Sequence, residues 1–325
     1  MRIAFILPYF GKFDSLFPLW LESCRYNADI DWFIFTDDKS PYKYPSNVKV
    51  TYMSFADMKQ HIQQFYDFPI ALNSPYRLCN FKPAYGEIFK DYLQGYDAWG
   101  FCDNDMLFGD LKKMMPNEVN SKYKIGKFGH LSFVNNSEES RQAYRYANAF
   151  KIAFGTEKPL FFDEGCFMQI LHKLGYKEYK LHIADLTPRL KQHIVLEEEG
   201  REWMNKAHCF VWNKGKLWRY YINKEDIKKE EYAYIHFLKR PMEVAADINL
   251  KQPLIIVPNR IFNMEIENIT INFLLEVSKP GIFWSYWHNS FMPQNLIERI
   301  KNRLYQNRKN QKLIAKMEKM IKDKK

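Results

Sequence analysis

Residues 96–110 read Tyr96-Asp97-Ala98-Trp99-Gly100-Phe101-Cys102-Asp103-Asn104-Asp105-Met106-Leu107-Phe108-Gly109-Asp110. An apolar strand runs into an acidic turn here, and a second apolar segment follows the turn. Carboxylates two residues apart at the end of a strand point the same way, so Asp103 and Asp105 can converge on one hard cation. Asp-Asn-Asp also occurs in ordinary polar turns and helix caps, so the surrounding segments decide its meaning.

The segments before this stretch predict strands that alternate with helices. The predicted elements are a strand at about 2–8, a helix around 16–24, strands at 31–35 and 48–52, and a helix at 55–66. A further helix is predicted to begin at Asn80-Phe81-Lys82-Pro83 and to lead directly into the acidic strand. This alternation predicts an α/β fold with a mostly parallel sheet flanked by helices, in which ligands bind at the carboxyl ends of the strands.

Three turn segments follow predicted strands and therefore belong at that ligand-binding edge. They are Pro8-Tyr9-Phe10-Gly11, Thr36-Asp37-Asp38 and the Asp-x-Asp turn. A glycine-rich phosphate loop of the form Gly-x-Gly-x-x-Gly is absent from the sequence. Its absence speaks against a dinucleotide oxidoreductase.

Two later segments carry further chemistry. Asp163-Glu164 precedes the apolar run Cys166 to Leu171, so the pair either caps a helix or serves a functional site. A strand-like run ends at His236, three residues before Lys239 and next to Arg240. An isolated histidine in such a strand is more often structural. Because His236 follows an Asp-x-Asp turn in an α/β chain, it is predicted to be a third metal ligand, with Lys239 and Arg240 as adjacent cations for a diphosphate.

Composition limits the class of protein. The chain has 325 residues, 46% hydrophobic and 17% aromatic, which supports a sizeable core. Its five cysteines are scattered and form no Cys-x-x-Cys pair, so neither a disulfide framework nor a zinc site is indicated, and a cytoplasmic location is expected. The short apolar N-terminus predicts a core strand rather than a signal peptide, and the absence of about 18 consecutive apolar residues predicts no membrane-spanning helix.

The C-terminal tail carries most of the charge. Residues 298–325 hold eleven Lys or Arg against three Asp or Glu, an excess of eight within a net charge of +10. Apolar residues recur at helical spacing, which predicts a basic amphipathic helix. This helix either lies on an anionic membrane surface or packs on the domain by its apolar stripe. No nucleic-acid partner is expected, because the rest of the chain is nearly neutral and shows no recognisable binding motif.

Together these segments resemble the GT-A fold glycosyltransferases. The resemblance rests on an N-terminal nucleotide-binding half, Asp-x-Asp after a helix, an Asp-Glu segment and a late His-x-x-Lys. The nearest layouts are the retaining enzymes of families 8 and 32 and the glycosyltransferase-like proteins of bacterial capsule or surface-polysaccharide loci. The resemblance covers about residues 1–242 and implies a Rossmann-like GT-A catalytic domain there. We expect an extension packed on this domain over 243–293 and the basic helical tail over 294–325.

The resemblance also implies roles for single residues. Asp103, Asp105 and His236 match the ligands of Mn²⁺ or Mg²⁺, and Asp163 and Glu164 match the acidic pair that faces the donor sugar and the acceptor. The residues implied in binding the nucleotide sugar are Pro8, Tyr9, Phe10, Asp37, Lys82, Asp103, Lys239 and Arg240. The sequence departs from the family in lacking a well-placed arginine near Lys82 and the glycine that usually follows His236 in family 8.

We therefore expect a metal-dependent hexosyltransferase that moves a sugar from a nucleotide sugar, expected to be a UDP-sugar, to a surface-polysaccharide or lipid-linked glycan acceptor. The enzyme is expected in the cytoplasm, peripheral to the inner face of the plasma membrane. The residues leave a retaining and an inverting outcome open. A metal-dependent phosphotransferase and a non-catalytic glycan- or membrane-binding protein remain as alternatives; the former usually needs further carboxylates for a second ion.

Overall fold

A seven-stranded sheet forms the centre of the protein. The computed structural model describes residues 1–115, 122–126, 129–158, 160–186, 194–195, 207–238, 242–278 and 296–324. The strands in sheet order are β3 (Val48–Tyr52), β2 (Ile30–Thr36), β1 (Ile3–Pro8), β4 (Ala98–Cys102), β7 (Leu131–Asn135), β6 (Tyr123–Ile125) and β8 (Lys177–Tyr179).

The first four strands of this order are parallel to one another, β7 is antiparallel to both β4 and β6, and β8 is parallel to β6. The predicted α/β fold with a mostly parallel sheet is therefore confirmed. The helices are α1 (Phe17–Arg25), α2 (Phe55–Gln63), α3 (Tyr85–Ile88), α4 (Leu111–Met114), α5 (Glu138–Gln142), α6 (Phe150–Phe154), α7 (Cys166–Lys173), α8 (Ile271–Val277) and α9 (Leu296–Asp323).

Hydrophobic residues cover both faces of the central sheet. All six residues of β1 are buried. Alternate side chains of a strand point to opposite faces of the sheet, and here both faces are covered. Ala4 and Ile6 pack in one cluster with residues of α2 and α7, whereas Ile3 and Phe5 pack in another with residues of α1. Helices on both faces explain why these strands are apolar throughout rather than alternating.

The segment before β4 differs from the single helix predicted to begin at Asn80. A 3₁₀ helix spans Pro75–Ala84, α3 follows it, and a second 3₁₀ helix spans Lys90–Leu93. Pro83 cannot donate a backbone hydrogen bond inside a regular α-helix. Gly86 of α3 packs so closely on the indole of Trp99 that a Cβ would lie 2.4 Å from a ring carbon, so this position requires glycine.

Two smaller sheets lie beside the central one. The second sheet contains β10 (Ile194–Val195), β9 (Ile183–Leu186), β14 (Tyr234–His236) and β5 (Met106–Phe108). The third contains β13 (Asp226–Tyr232), β12 (Lys216–Asn223), β11 (His208–Asn213), β16 (Leu254–Val257), β17 (Arg260–Asn263) and β15 (Glu243–Val244). The third sheet takes strands from both sides of residue 242, so the predicted domain boundary divides the strands of a single sheet.

The predicted C-terminal helix is present as α9, which packs against α7 and α6. Met317 and Ile321 are fully buried in the cluster on that face of the sheet, and Leu313 and Ile314 pack at its edge. The apolar stripe of the last four turns therefore contacts the protein itself. Among the described helices, none is both long enough and apolar enough to cross a membrane.

Candidate functional site

A cleft of about 1030 Å³ opens where β1 and β4 end, at the edge predicted to bind ligands. Its walls include nine of the residues predicted from the sequence. These are Pro8, Tyr9, Phe10, Lys82, Asp103, Asp105, Asp163, Glu164 and His236.

Asp103, Asp105 and His236 converge at this cleft. One potential ligand atom from each of the three lies within 4.8 Å of the other two. Strand pairing brings them together, because His236 lies opposite Met106 in the antiparallel pair of β14 and β5, and the Phe237 amide donates to the Asp105 carbonyl at 2.8 Å. The three-residue convergence predicted from the sequence is therefore present.

A second carboxylate orients His236 from its other side. Asp185 of β9 is its partner in the parallel pair of β9 and β14, and its Oδ1 lies 2.9 Å from His236 Nδ1. His236 Nε2 lies 3.4 Å from Asp105 Oδ1. Burial lowers the pKa of His236, but hydrogen bonds and charges from Asp105 and Asp185 outweigh it and raise that pKa to about 10.

This donor set fits a divalent cation. Two carboxylates supply the hard oxygen ligands that Mg²⁺ and Mn²⁺ prefer, and an imidazole is a good ligand for the transition metal of the two. The carboxylate of Asp185 behind His236 matches the usual arrangement in which a metal-binding histidine gives its other ring nitrogen to a carboxylate. Asp103, Asp105 and His236 are thus the residues that would hold an ion.

Lys82 joins this cluster to the acidic pair. Its ammonium donates to Asp103 Oδ1 at 2.6 Å and to the Gly129 carbonyl at 2.7 Å, and it lies 3.9 Å from Asp163 Oδ2. Burial disfavours its charge, yet the carboxylates of Asp103 and Asp163 raise its pKa above the usual value. Lys82 therefore stays cationic and neutralises part of the negative charge in the cleft.

Asp163 and Glu164 lie in the turn that precedes α7. The helix begins after Gly165 without a side-chain cap, so the structure does not use the pair as helix caps. Asp163 is only 3% exposed, and its Oδ1 has no hydrogen-bond partner among the described residues. Burial, with the nearby Glu164 and Asp103 charges, outweighs Lys82 and raises the pKa of Asp163 to about 7. Burial also raises the pKa of Glu164.

The remaining predicted residues lie elsewhere. Asp37 is exposed and does not line the cleft; its carboxylate accepts a hydrogen bond from the Gly11 amide at 2.8 Å and so supports the turn that follows β1. Its neighbour Asp38 is buried and accepts from the Phe13 amide. Lys239 and Arg240 lie outside the described residues.

Two residues of the site, Asp185 and His130, were not predicted from the sequence. His130 stacks on His236 with ring centroids 4.1 Å apart, and burial, followed by the His236 charge, lowers its pKa well below the usual value. Each residue is a single polar side chain within or just before a short apolar strand. A titratable side chain at a strand position that is expected to be apolar is the sequence signal that could have identified Asp185 and His130.

The fold and the cleft define an α/β protein with an acidic, histidine-containing site at the strand ends. The chain belongs to DUF6625, a family of unknown function, whose model matches residues 5–265. No curated protein matches the chain. The matched region contains every residue that lines the cleft and ends before α8 and α9.

Proposed function

We propose that this protein is a metal-dependent glycosyltransferase that moves a hexose from a nucleotide sugar, most simply a UDP-sugar, to a glycan acceptor. The convergence of Asp103, Asp105 and His236 at the ligand-binding edge of a mostly parallel sheet carries the proposal. A divalent cation at these residues would offset the charge of the diphosphate as it leaves. A surface polysaccharide or a lipid-linked glycan is the proposed acceptor.

The residues around the cluster have distinct proposed roles. Lys82 reduces the mutual repulsion of the carboxylates and holds Asp103 in place through its 2.6 Å hydrogen bond. Asp185 orients the imidazole of His236 through Nδ1. The turn at Pro8 to Phe10 borders the nucleotide base.

Asp163 and Glu164 are the proposed groups that face the reacting sugar. An acid with a pKa near neutrality exchanges protons readily, which suits a general base that accepts the proton of the acceptor hydroxyl in an inverting reaction. In a retaining reaction, the same carboxylates would stabilise the positive charge that develops on the sugar or orient the acceptor. Both outcomes remain part of the proposal.

A metal-dependent phosphotransferase has less support. Two-metal sites need a further carboxylate that bridges a second ion. Of the other carboxylates in the cleft, Asp163 faces Lys82 and Asp185 faces His236 Nδ1. Asp110, the next acidic residue after the Asp-x-Asp turn, caps α4 by accepting from the Lys113 amide at 3.0 Å, as its position after Gly109 predicts. Among the described residues, the Asp103, Asp105 and His236 group is the single cluster that can hold a metal.

The test is release of UDP from a panel of UDP-sugars by the purified protein, with and without Mn²⁺. Asp105→Asn removes a proposed ligand and is expected to lower Mn²⁺-dependent release at least 100-fold. The same variant is expected to abolish the rise in melting temperature that UDP with Mn²⁺ produces in the parent protein, since only bound ligand stabilises the fold.

Asp110→Asn is the matched control, because it changes the same kind of side chain in the same segment outside the cleft. It is expected to keep UDP release and thermal stabilisation. Hydrolysis that is independent of metal, or unaffected by Asp105→Asn, would remove the basis of the proposal. Thermal stabilisation without any turnover would favour the non-catalytic binding protein.

We also propose that α9 holds the enzyme at an anionic membrane surface by charge alone. In residues 308–324, the part of α9 whose side chains the structure describes, the apolar stripe packs against the protein, so this part of the face is not free to insert into lipid. At about 100° per residue, Lys312, Lys316 and Lys319 lie on the side away from that stripe, and all three are exposed. Basic residues near an anionic leaflet each contribute about 1 kcal/mol.

A further inference from the structure

Exposed apolar side chains border the mouth of the acidic cleft. Tyr76 is 52% exposed, Phe161 is 49% exposed and Leu238 is 39% exposed, and all three line the cleft. They are three of nine large apolar side chains that are exposed among the described residues. We call Tyr76, Phe161 and Leu238 the apolar rim; its concentration at one opening suggests a binding role rather than scattered surface residues.

Two rim residues have strained backbones. Phe161 has φ of 50° and Leu238 has φ of 47°, in the left-handed region that residues other than glycine rarely adopt. Such a conformation is energetically unfavourable for residues that carry a Cβ. It persists only where the surrounding structure enforces it, and such positions concentrate at functional sites.

The turn around Phe161 supplies that enforcement. The Glu164 and Gly165 amides donate to the Phe161 carbonyl at 3.1 and 3.3 Å, and the flanking Leu160 and Phe162 are buried. The buried neighbours anchor the turn while the ring of Phe161 stays exposed. The same turn carries the acidic pair, so one short segment supplies a rim residue and the carboxylates below it.

The 3₁₀ helix Pro75–Ala84 repeats this arrangement. It carries Tyr76 at the rim and Lys82 at the cluster, about 12 Å apart along the helix axis. Asn80, between them, ties the helix to the Phe161 turn because its Oδ1 accepts from the Leu160 amide at 3.0 Å. One helix therefore carries both a rim residue and a residue that contacts Asp103.

From this geometry we propose that the apolar rim is the acceptor subsite, and that Tyr76 and Phe161 stack on a pyranose ring of the acceptor. The inference rests on the proposed function. A pyranose presents apolar C–H faces and hydroxyl edges, so it can cover aromatic rings while its hydroxyls reach Asp163 and Glu164. An alkyl chain would match the rim but would offer no hydrogen-bond donor to the buried Oδ1 of Asp163, which has no partner among the described residues.

The test measures binding directly by saturation-transfer NMR with the full-length protein, UDP and Mg²⁺. The probes are methyl β-D-glucopyranoside, methyl β-D-galactopyranoside and methyl α-D-mannopyranoside, with hexanoate as an alkyl probe. Phe161→Asn removes the ring while asparagine tolerates the left-handed backbone, and Phe161→Tyr keeps an aromatic ring. Tyr76→Ala tests the second ring, and Tyr52→Ala is the matched control, since Tyr52 is 48% exposed but outside the cleft.

We expect saturation of the ring hydrogens of at least one glycoside in the parent protein. Phe161→Asn and Tyr76→Ala should reduce it at least fivefold, whereas Phe161→Tyr and Tyr52→Ala should keep it within twofold. Equal saturation in all variants, no glycoside saturation in the parent protein, or saturation of hexanoate alone would overturn the inference. The uracil signals of UDP in the same samples report on the donor site, so loss of UDP binding marks failure of the proposed function separately.

Discussion

Asp163 is a buried carboxyl group in the cleft whose charge is only partly compensated. Asp163 lies within 3.9 Å of Lys82 but keeps an oxygen without a hydrogen-bond partner, and burial raises its pKa to about 7. A carboxyl group in this state costs stability once it ionises, because its charge is removed from water and only partly compensated. Asp163 therefore lowers the stability of the folded protein when it is ionised. Buried groups of this kind are typical of functional sites rather than of residues that stabilise the fold.

Asp163→Asn is therefore expected to stabilise the protein at alkaline pH. Between its ordinary pKa of 3.8 and about 7, folded Asp163 holds a proton that the unfolded chain has released, so the free energy of unfolding falls as the pH rises. The free energy of unfolding of the variant does not fall in this way, because asparagine does not ionise. The variant should therefore be more stable than the parent at pH 8 by about 1–4 kcal/mol. Urea unfolding at pH 8 and pH 5 checks this, and the difference should narrow at pH 5. A variant less stable than the parent at pH 8 would contradict the assignment.

Asp185→Asn tests how His236 is oriented. Loss of the carboxylate that faces His236 Nδ1 is expected to weaken Mn²⁺ binding about 10- to 100-fold, the usual effect of removing such a partner. Isothermal titration calorimetry with Mn²⁺ measures it. Asp226→Asn, on an exposed hairpin, is the control and should bind Mn²⁺ like the parent. Unchanged affinity in Asp185→Asn would mean that His236 does not depend on this partner.

At the scale of the element, α9 combines two different faces. Met317 and Ile321 enter the hydrophobic cluster beside α7, and polar contacts secure the edges of the helix. Gln169 donates to Glu318 at 3.0 Å, and Lys173 donates to the Lys322 carbonyl at 3.3 Å. Tertiary packing, rather than helix propensity, therefore stabilises the last four turns.

Ile321→Ala is expected to loosen this packing. Removing a buried isoleucine side chain costs about 2–5 kcal/mol, and here the loss should appear first as faster hydrogen exchange of residues 308–324. Mass spectrometry of exchanged peptides measures it. Lys319→Ala changes an exposed residue of the same helix and should leave exchange and melting temperature nearly unchanged. Equal exchange in the two variants would show that the contact contributes little.

At the scale of the whole molecule, most of the net positive charge lies in the C-terminal tail. The tail holds an excess of eight of the ten net positive charges, so the rest of the chain is close to neutral. Because the apolar stripe of α9 faces inward, its exposed lysines face outward. Such a surface attracts anionic partners through long-range fields that salt screens.

Changing Lys312, Lys316 and Lys319 to Ala is expected to weaken binding to vesicles that contain anionic lipid by about 3 kcal/mol, roughly 100-fold in affinity. Cosedimentation measures it, and raising the salt concentration should weaken the parent in the same direction. A control with Lys39, Lys90 and Lys251 changed to Ala removes equal charge from other exposed positions and should bind nearly as well. Equal losses of affinity in both variants would show that the net charge of the protein, not the position of the lysines on α9, determines binding. Equally strong binding to neutral vesicles would exclude the electrostatic mechanism.

Local patterns were sufficient to predict much of this protein. Apolar runs and turn residues predicted β1, β2 and β3 close to their observed bounds and placed β4 directly before the Asp-x-Asp turn, since buried parallel strands are short and continuous in hydrophobicity. The Asp-x-Asp turn and His236 were recognisable because carboxylates and imidazoles at strand ends are few. The tail was predicted as a helix from its spacing, and this is confirmed.

Only the tertiary structure decided which residues meet. The pairing of β14 with β5 on one side and β9 on the other puts His236 between Asp105 and Asp185, and the choice of strand partners depends on contacts far apart in the chain. The same holds for α9, whose apolar stripe is equally suited to lipid and to protein. Its burial against α7 was decided by a matching apolar surface that forms only when the chain has folded.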